Sequence, residues 1–284
     1  MAKGGGAVIR FERPRSVAEA ANLLAAGDWA LLAGGTNLYP AHVGRPVARP
    51  LLDLSRVAGL RGIRQSGAGW SIGATTTWTD VIRAELPPLF DALKAAAREI
   101  GGVQIQNTGT VAGNVCNASP AADGIPVLLA LGAEVELQSA LGSRRVPLEA
   151  FVLGSRRTAR RDDELVTALH LPARGPRARS VFHKLGGRRY LVISITMVAA
   201  AIDLDAAGRV ATAGVAVGSC SAAARRLLSL EARLVGLPPA QLAECVEADD
   251  LAPLAPIDDV RASAAFRLDA TLTLLRRALA GVAP

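Results

Sequence analysis

Apolar positions along the chain follow two spacings. From Ser16 the run "VAEAANLLAAG" brings apolar residues round every three to four positions and closes at Gly27, which predicts an amphipathic helix, and Ser16 followed by Glu19 has capping-box spacing. The short apolar segments "WALLA" and "PLLDL" predict buried strands, so the first fifty-odd residues form a β-α-β unit with a glycine turn at a strand end. Between Gly69 and Pro172, "WSIGATTT" predicts a strand, Thr77 and Asp80 a second capping box, and "LFDALKAAAREI" a helix ending at Gly101-Gly102. "LLALGAEVEL" spans a helix end and a strand, and "RRVPLEAF" and "DELVTALHL" predict further sheet elements. The Arg-, Pro- and Gly-rich stretch "PARGPRARS" at 172–180 is the linker candidate. Beyond it the pattern predicts strands ("ITMVAAAIDLD", "VATAGVAVGS") and then helices ("AAARRLLSLEARLVG", "PAQLAECVEA", "VRASAAFRLDATLTLLRRALAG"). The whole is a mixed α+β chain.

Composition narrows the classes. With 284 residues, half of them apolar, the chain can bury one large domain or two to three small ones. Its longest apolar run, Leu191 to Ile202, is interrupted by Ser194 and Thr196 and stops at Asp203, too short for a transmembrane segment. The start "MAKGGGAVIRFERPRS" lacks the apolar core of a leader, which predicts a soluble cytoplasmic protein. Cys116, Cys220 and Cys245, like His42, His170 and His183, show no ligand spacing for zinc or an iron-sulfur cluster, so no metal of its own is expected. A net charge of +7 could suit nucleic acid, yet the arginines are scattered as pairs between apolar segments, which argues against a nucleic-acid partner. There are only three lysines, Lys3, Lys94 and Lys184, against 29 arginines, which makes an internal lysine notable.

Two glycine-rich stretches carry the candidate chemistry. In "LLAGGTNLYP" the pair Gly34-Gly35 follows a strand, and this fits a plain turn as well as a nest of backbone N–H groups for an anion. The second stretch, "NTGTVAGNVCNASPAADGIP" at 107–126, adds Thr108, Thr110 and Asn114 as donors beside Gly109 and Gly113, with Asp123 able to accept from a sugar hydroxyl. Two polar glycine turns exceed what one hairpin requires, and together they suit a pyrophosphate. Neither G-x-G-x-x-G nor G-x-x-x-x-G-K-[ST] occurs, which argues against a Rossmann site and a P-loop. No G-x-S-x-G elbow occurs either, so independent hydrolysis is not supported.

In order and spacing, "AGGTNL", "NTGTVAGN", "ASPAADGIP", "FHKLGGRRY" and "RASAAFRLDATLTLLRRAL" resemble the FAD-binding medium subunit of molybdenum hydroxylases, the xanthine dehydrogenase and carbon monoxide dehydrogenase family. The resemblance implies a vanillyl-alcohol-oxidase-type (PCMH-type) FAD-binding region of two subdomains, 1–56 and 57–175, and a C-terminal domain of antiparallel strands and helices, 176–284. It implies FAD contacts from Leu31, Leu32, Ala33, Gly34, Gly35, Thr36, Asn37 and Leu38, and from Thr110, Gly113 and Asn114. Asp123 would bind the adenosine ribose and Leu165 would line the cofactor. Lys184 matches a family lysine in contact with FAD, where a cation favours the reduced, anionic flavin. "RRYLVIS" beyond it is apolar where some relatives are polar or aromatic, which leaves the final electron acceptor open.

The function implied is electron transfer. An iron-sulfur partner subunit would deliver electrons drawn from a molybdenum-cofactor subunit, and FAD here would pass them to NAD+, oxygen or a quinone. The molybdenum cofactor and [2Fe-2S] clusters belong to those partners, and no catalytic side chain is expected on this chain. One rival is a stand-alone flavin reductase resembling UDP-N-acetylenolpyruvoylglucosamine reductase, whose second half finds no match here. Another is a scaffold that has lost FAD, against which the intact Gly34, Gly35, Gly113, Asn114 and Asp123 speak.

Overall fold

The computed structural model describes residues 10–282; the start at 1–9, with Lys3, and the last two residues lie outside that range. Ser16 caps helix α1 (Val17–Ala26) by accepting the Glu19 N–H at 3.1 Å. The Glu19 carboxylate answers one residue further back than a capping box requires, accepting the Arg15 N–H at 2.7 Å. Strands β1 (Phe11–Glu12) and β2 (Ala30–Leu32) flank β3 (Leu51–Asp53), each parallel to it. Ala20, Ala21 and Leu24 of α1 pack over Leu52, while the Trp29 indole N–H donates to the Leu23 carbonyl at 2.8 Å and ties the helix end to β2.

The second unit is an antiparallel sheet of β4 (Ile63–Ser66), β5 (Gly69–Gly73), β6 (Glu134–Ser139), β7 (Gly142–Pro147) and β10 (Leu165–Pro172), in the order β4-β5-β10-β6-β7. Helices α2 (Trp78–Arg83), α3 (Asp91–Glu99), α4 (Val103–Thr108), α5 (Val111–Asn117) and α6 (Gly124–Ala130) pack with it around a core that includes Trp78, Phe90, Leu93 and Leu137. Thr77 and Asp80 complete the capping box of α2 in both directions. "RRVPLEAF" changes character at Pro147: β7 ends there and one turn of helix, α7 (Leu148–Phe151), follows, leading to a small hairpin of β8 (Val152–Gly154) and β9 (Arg157–Thr158).

The stretch 107–126 corrects the expectation of a polar glycine turn, because it is largely helical. Gly109 closes α4 with φ −62°, and Gly113 lies within α5, whose N-terminus is capped by Thr110 accepting the Gly113 N–H at 3.0 Å. Burial of Val111, Ala112 and Val115 stabilises this short helix despite its glycine and asparagines.

The third unit is the sheet β11 (Arg179–Leu185), β12 (Thr196–Leu204), β13 (Val210–Gly218) and β14 (Arg225–Arg226), antiparallel throughout. Met197, Ala199 and Ala201 on β12 join the core with the α2–α6 layer, and Val198, Ala200 and Ile202 face helices α8 (Leu228–Leu234) and α9 (Ala264–Gly281). Burial on both faces explains the apolar run in this part of the sequence. Two helix expectations are shortened here. "AAARRLLSLEARLVG" yields β14 before α8, and "PAQLAECVEA" forms the 3₁₀ turn Pro239–Gln241, which opens on two prolines, followed by turn in which Leu242 and Val246 are buried. The 172–180 stretch is pinned to β12 and β13: Gly175 N–H donates to Asp203 at 2.6 Å and Arg174 to the Thr212 hydroxyl at 2.5 Å.

Candidate cofactor site

A cavity of about 680 Å³ opens between the first two units and reaches the third. Its floor is the first glycine segment. Strand β2 runs into Ala33, Gly34 and Gly35, and Leu31 to Leu38 all line the cavity. Gly35 has φ +69°, and a Cβ there would meet the Tyr39 ring at 2.6 Å. Gly34 is required for a different reason: a Cβ on it would fall 1.9 Å from the Thr108 carbonyl oxygen. The N–H groups of Gly34, Gly35, Thr36 and Asn37 have no acceptor among the described residues, so the segment presents free donors.

The second segment supplies the opposite wall through Gly109, Thr110, Gly113 and Asn114. Asn114 Oδ1 is buried with no hydrogen-bond partner, a vacancy in an otherwise satisfied wall. Gly124 is tight against the Trp78 ring, at 2.5 Å from a Cβ, and lets α6 pack close to α2.

Asp123 also lines the cavity, only 6% exposed. Its Oδ2 accepts from Lys184 Nζ at 2.7 Å and its Oδ1 from the Ser194 hydroxyl at 2.6 Å. Burial raises the carboxyl above its ordinary range against the opposing pull of Lys184. Lys184 therefore stands behind Asp123. Its side chain, 7% exposed, borders a second hollow beside Glu99 and Arg188 and reaches the main cavity through Asp123.

Leu165 departs from expectation. It is fully buried against Leu24, Trp29 and Leu52, and its neighbour Val166 lines the cavity instead. Successive residues of β10 point to opposite faces, so a shift of one position exchanges core for cavity. Sequence reasoning also missed Ile100, Ile105, Val192 and Ile193 as apolar walls, and Cys116 and Arg160. The apolar "RRYLVIS" stretch held the signal for Val192 and Ile193; nothing in the sequence marked Arg160. Burial pushes the Cys116 thiol up to about 11.

A long cavity with apolar walls, glycines where any Cβ would intrude, free N–H donors and an orphaned amide oxygen fits a flavin dinucleotide. Residues 7–174 match the family described as the FAD binding domain in molybdopterin dehydrogenase, and residues 181–282 match the CO dehydrogenase flavoprotein C-terminal domain. The chain belongs to this family of FAD-binding subunits of molybdenum hydroxylases. It is an oxidoreductase subunit, and FAD is its cofactor. It is 33% identical to the xanthine dehydrogenase FAD-binding subunit of Escherichia coli O157:H7 across 95% of this chain and 94% of that one. Identity to the carbon monoxide dehydrogenase medium chain of Hydrogenophaga pseudoflava is 31%, covering 95% and 96%. The reconstituted CO dehydrogenase from Oligotropha carboxidovorans superposes with a TM-score of 0.85 at 27% identity over 96% of both chains. Among the described residues no helix is long and apolar enough to cross a membrane.

Proposed function

We propose that the chain takes electrons from an iron-sulfur subunit and passes them to NAD+, oxygen or a quinone, in a complex whose molybdenum-cofactor subunit hydroxylates the substrate. The observation that carries this reading is the meeting of the two glycine segments at Gly34 and Thr108, which closes one cavity over free N–H donors and the unpartnered Asn114 Oδ1. Leu31 to Leu38, with Thr110, Gly113 and Asn114, would hold FAD there. When bound, FAD supplies a centre that accepts electrons singly and releases them as a pair.

The chain's own residues have defined tasks in this reading. Gly34 to Asn37 offer N–H groups to the diphosphate, and Val166, Ile100, Val192 and Ile193 exclude water from the ring. Asp123 accepts a cofactor hydroxyl, while Lys184 offsets its charge so that a carboxylate can stand near a dianion. Leu165 and Lys184 thus serve the site from behind it. The chain divides into FAD-binding subdomains 1–56 and 57–175 and a C-terminal domain 176–284, works in the cytoplasm, and has no nucleic-acid partner. A stand-alone flavin reductase is the weaker reading, because the second half of the chain matches the CO dehydrogenase flavoprotein domain.

Purification from the native source tests the assignment. Iron-sulfur and molybdenum-bearing chains should co-elute with it in fixed ratio, and substrate should bleach its flavin only when they are present. A solitary flavoprotein with its own turnover would overturn the subunit reading.

A further inference from the structure

Two arginines line the cavity, and their charges are disposed differently. Arg49 is spent: its guanidinium pairs with Asp28 and donates to the Trp29 carbonyl at 2.7 Å. Arg160 makes its close hydrogen bonds only to neutral acceptors. Its Nη1 donates to the carbonyls of Arg161 at 2.8 Å, Asp162 at 3.4 Å and Glu164 at 2.8 Å. The carboxylate within ion-pair reach, Asp162, stands 3.9 Å away on a fully exposed side chain. Lys184, by contrast, is neutralised by Asp123 of the cavity wall, at 2.7 Å. Among the described residues lining the cavity, Arg160 is therefore the cation whose carboxylate partner is distant and solvent-screened.

Its place along the cavity is informative. Arg160 holds the Glu164 carbonyl just ahead of β10, two residues before the wall residue Val166, and its charge acts on Cys116 in the last turn of α5. Thr110 and the glycine segments sit at the other end of α5. Seven residues of helix at about 1.5 Å each put these ends roughly 10 Å apart, comparable to the span of a ribityl chain between diphosphate and ring. Cys116 stays a neutral thiol there, with its pKa pushed up to about 11, and adds no charge of its own.

We propose that Arg160 lies beside the flavin ring and stabilises the negative charge that the ring acquires on reduction. The inference rests on the FAD reading given above. Uptake of two electrons from the iron-sulfur partner and one proton from solvent leaves the ring with one net negative charge, which a fixed guanidinium in a partly desolvated cavity favours. The site thus carries its redox-tuning cation on the strand side, at Arg160, and its structural cation at Lys184.

The test uses the full chain loaded with FAD, comparing native protein with Arg160→Gln, Arg160→Leu and Arg160→Lys. Midpoint potentials are measured spectroelectrochemically across the neutral pH range, and oxidised-FAD affinity by fluorescence titration. The Gln and Leu variants should shift the reduced-to-oxidised ratio at a fixed solution potential about tenfold or more toward oxidised, and Arg160→Lys should restore most of it. Oxidised-FAD affinity should change less than about threefold, since the oxidised ring is neutral. A residue that only braces the 161–164 turn would alter stability and leave the potential unmoved, and that result overturns the proposal. So does a large loss of oxidised-FAD affinity with an unchanged potential, which would make Arg160 a diphosphate ligand. If Arg160→Leu fails to fold, the Gln and Lys variants decide alone. A native chain that retains no FAD removes the cofactor reading itself, whereas bound FAD with an unmoved potential removes only the role of Arg160.

Discussion

Gly34 and Thr108 approach so closely that no side chain fits between them: a Cβ on Gly34 would lie 1.9 Å from the Thr108 carbonyl oxygen. This contact joins the two cofactor segments, and it is backbone against side chain-free backbone, so neither side can relax by a rotamer change. Gly34→Ala should therefore cost about 2–4 kcal/mol of stability and abolish FAD retention. Denaturant titration of the chain with and without FAD measures both. Retention of native FAD affinity would show that the junction does not shape the site.

Leu165 and Val166 separate core from cavity within one strand. Leu165→Ala should destabilise the chain by about 2–5 kcal/mol with little change in FAD affinity among molecules that fold. Val166→Ala, which also removes two methyl groups from the second unit's core, should cost about 1–3 kcal/mol of apo stability and in addition loosen FAD severalfold. Thermal melts paired with fluorescence titration distinguish the two, and a reversed pattern would restore Leu165 as the contact.

The Asp123–Lys184 pair predicts a pH dependence of stability. The Asp123 carboxyl is raised in the folded chain, so the folded state binds that proton more readily than the unfolded one. Its contribution is full below the ordinary carboxylate range and declines as pH rises through the raised value. Lys184→Met removes the charge that opposes this rise. The variant should lose stability relative to native progressively from acid to neutral pH, reaching about 3 kcal/mol, and adding Asp123→Asn should recover part of it. Denaturation of the apo chain over that range gives the answer; a pH-independent difference would mean that Asp123 is not charged beside Lys184.

The fold was legible in the sequence wherever a local rule decided the structure. Ser16, Thr77 and Asp80 announce their helices through side chains that reach only three residues, and strands β2, β3, β12 and β13 announce themselves by length and apolar content. The helical character of 107–126 was hidden because α4 and α5 are short and rich in Gly, Asn and Thr, and are stabilised by burial of Val111 and Val115 that no local pattern reveals. The glycines themselves were legible, yet packing within the protein already accounts for them: Thr108 and Tyr39 crowd Gly34 and Gly35, and Ile105 and Thr110 crowd Gly109 and Gly113. That Leu165 packs in the first core while Val166 lines the cavity, and that Lys184 turns toward Asp123, was not legible, since a motif names a residue and does not say which way its side chain turns. Arg160 left no trace because its place on the cavity wall depends on which arginine, of many, the fold turns toward that wall.

Cys116 gives a check on the electrostatics of the wall. With its thiol pushed up to about 11, it should resist alkylation in the apo chain at neutral pH, and its rate should climb about tenfold per pH unit toward that value. Mass-resolved iodoacetamide labelling of Cys116 reports this directly. Rapid labelling at neutral pH would indicate a thiolate stabilised by Arg160 more strongly than burial opposes it.

The central claim is that this cavity holds FAD, and the visible spectrum of the purified chain tests it most directly. The protein should carry absorption near ~450 nm, or acquire it with one equivalent of added FAD, and lose that capacity in Gly34→Ala. A colourless chain that stays colourless after incubation with FAD would contradict the account.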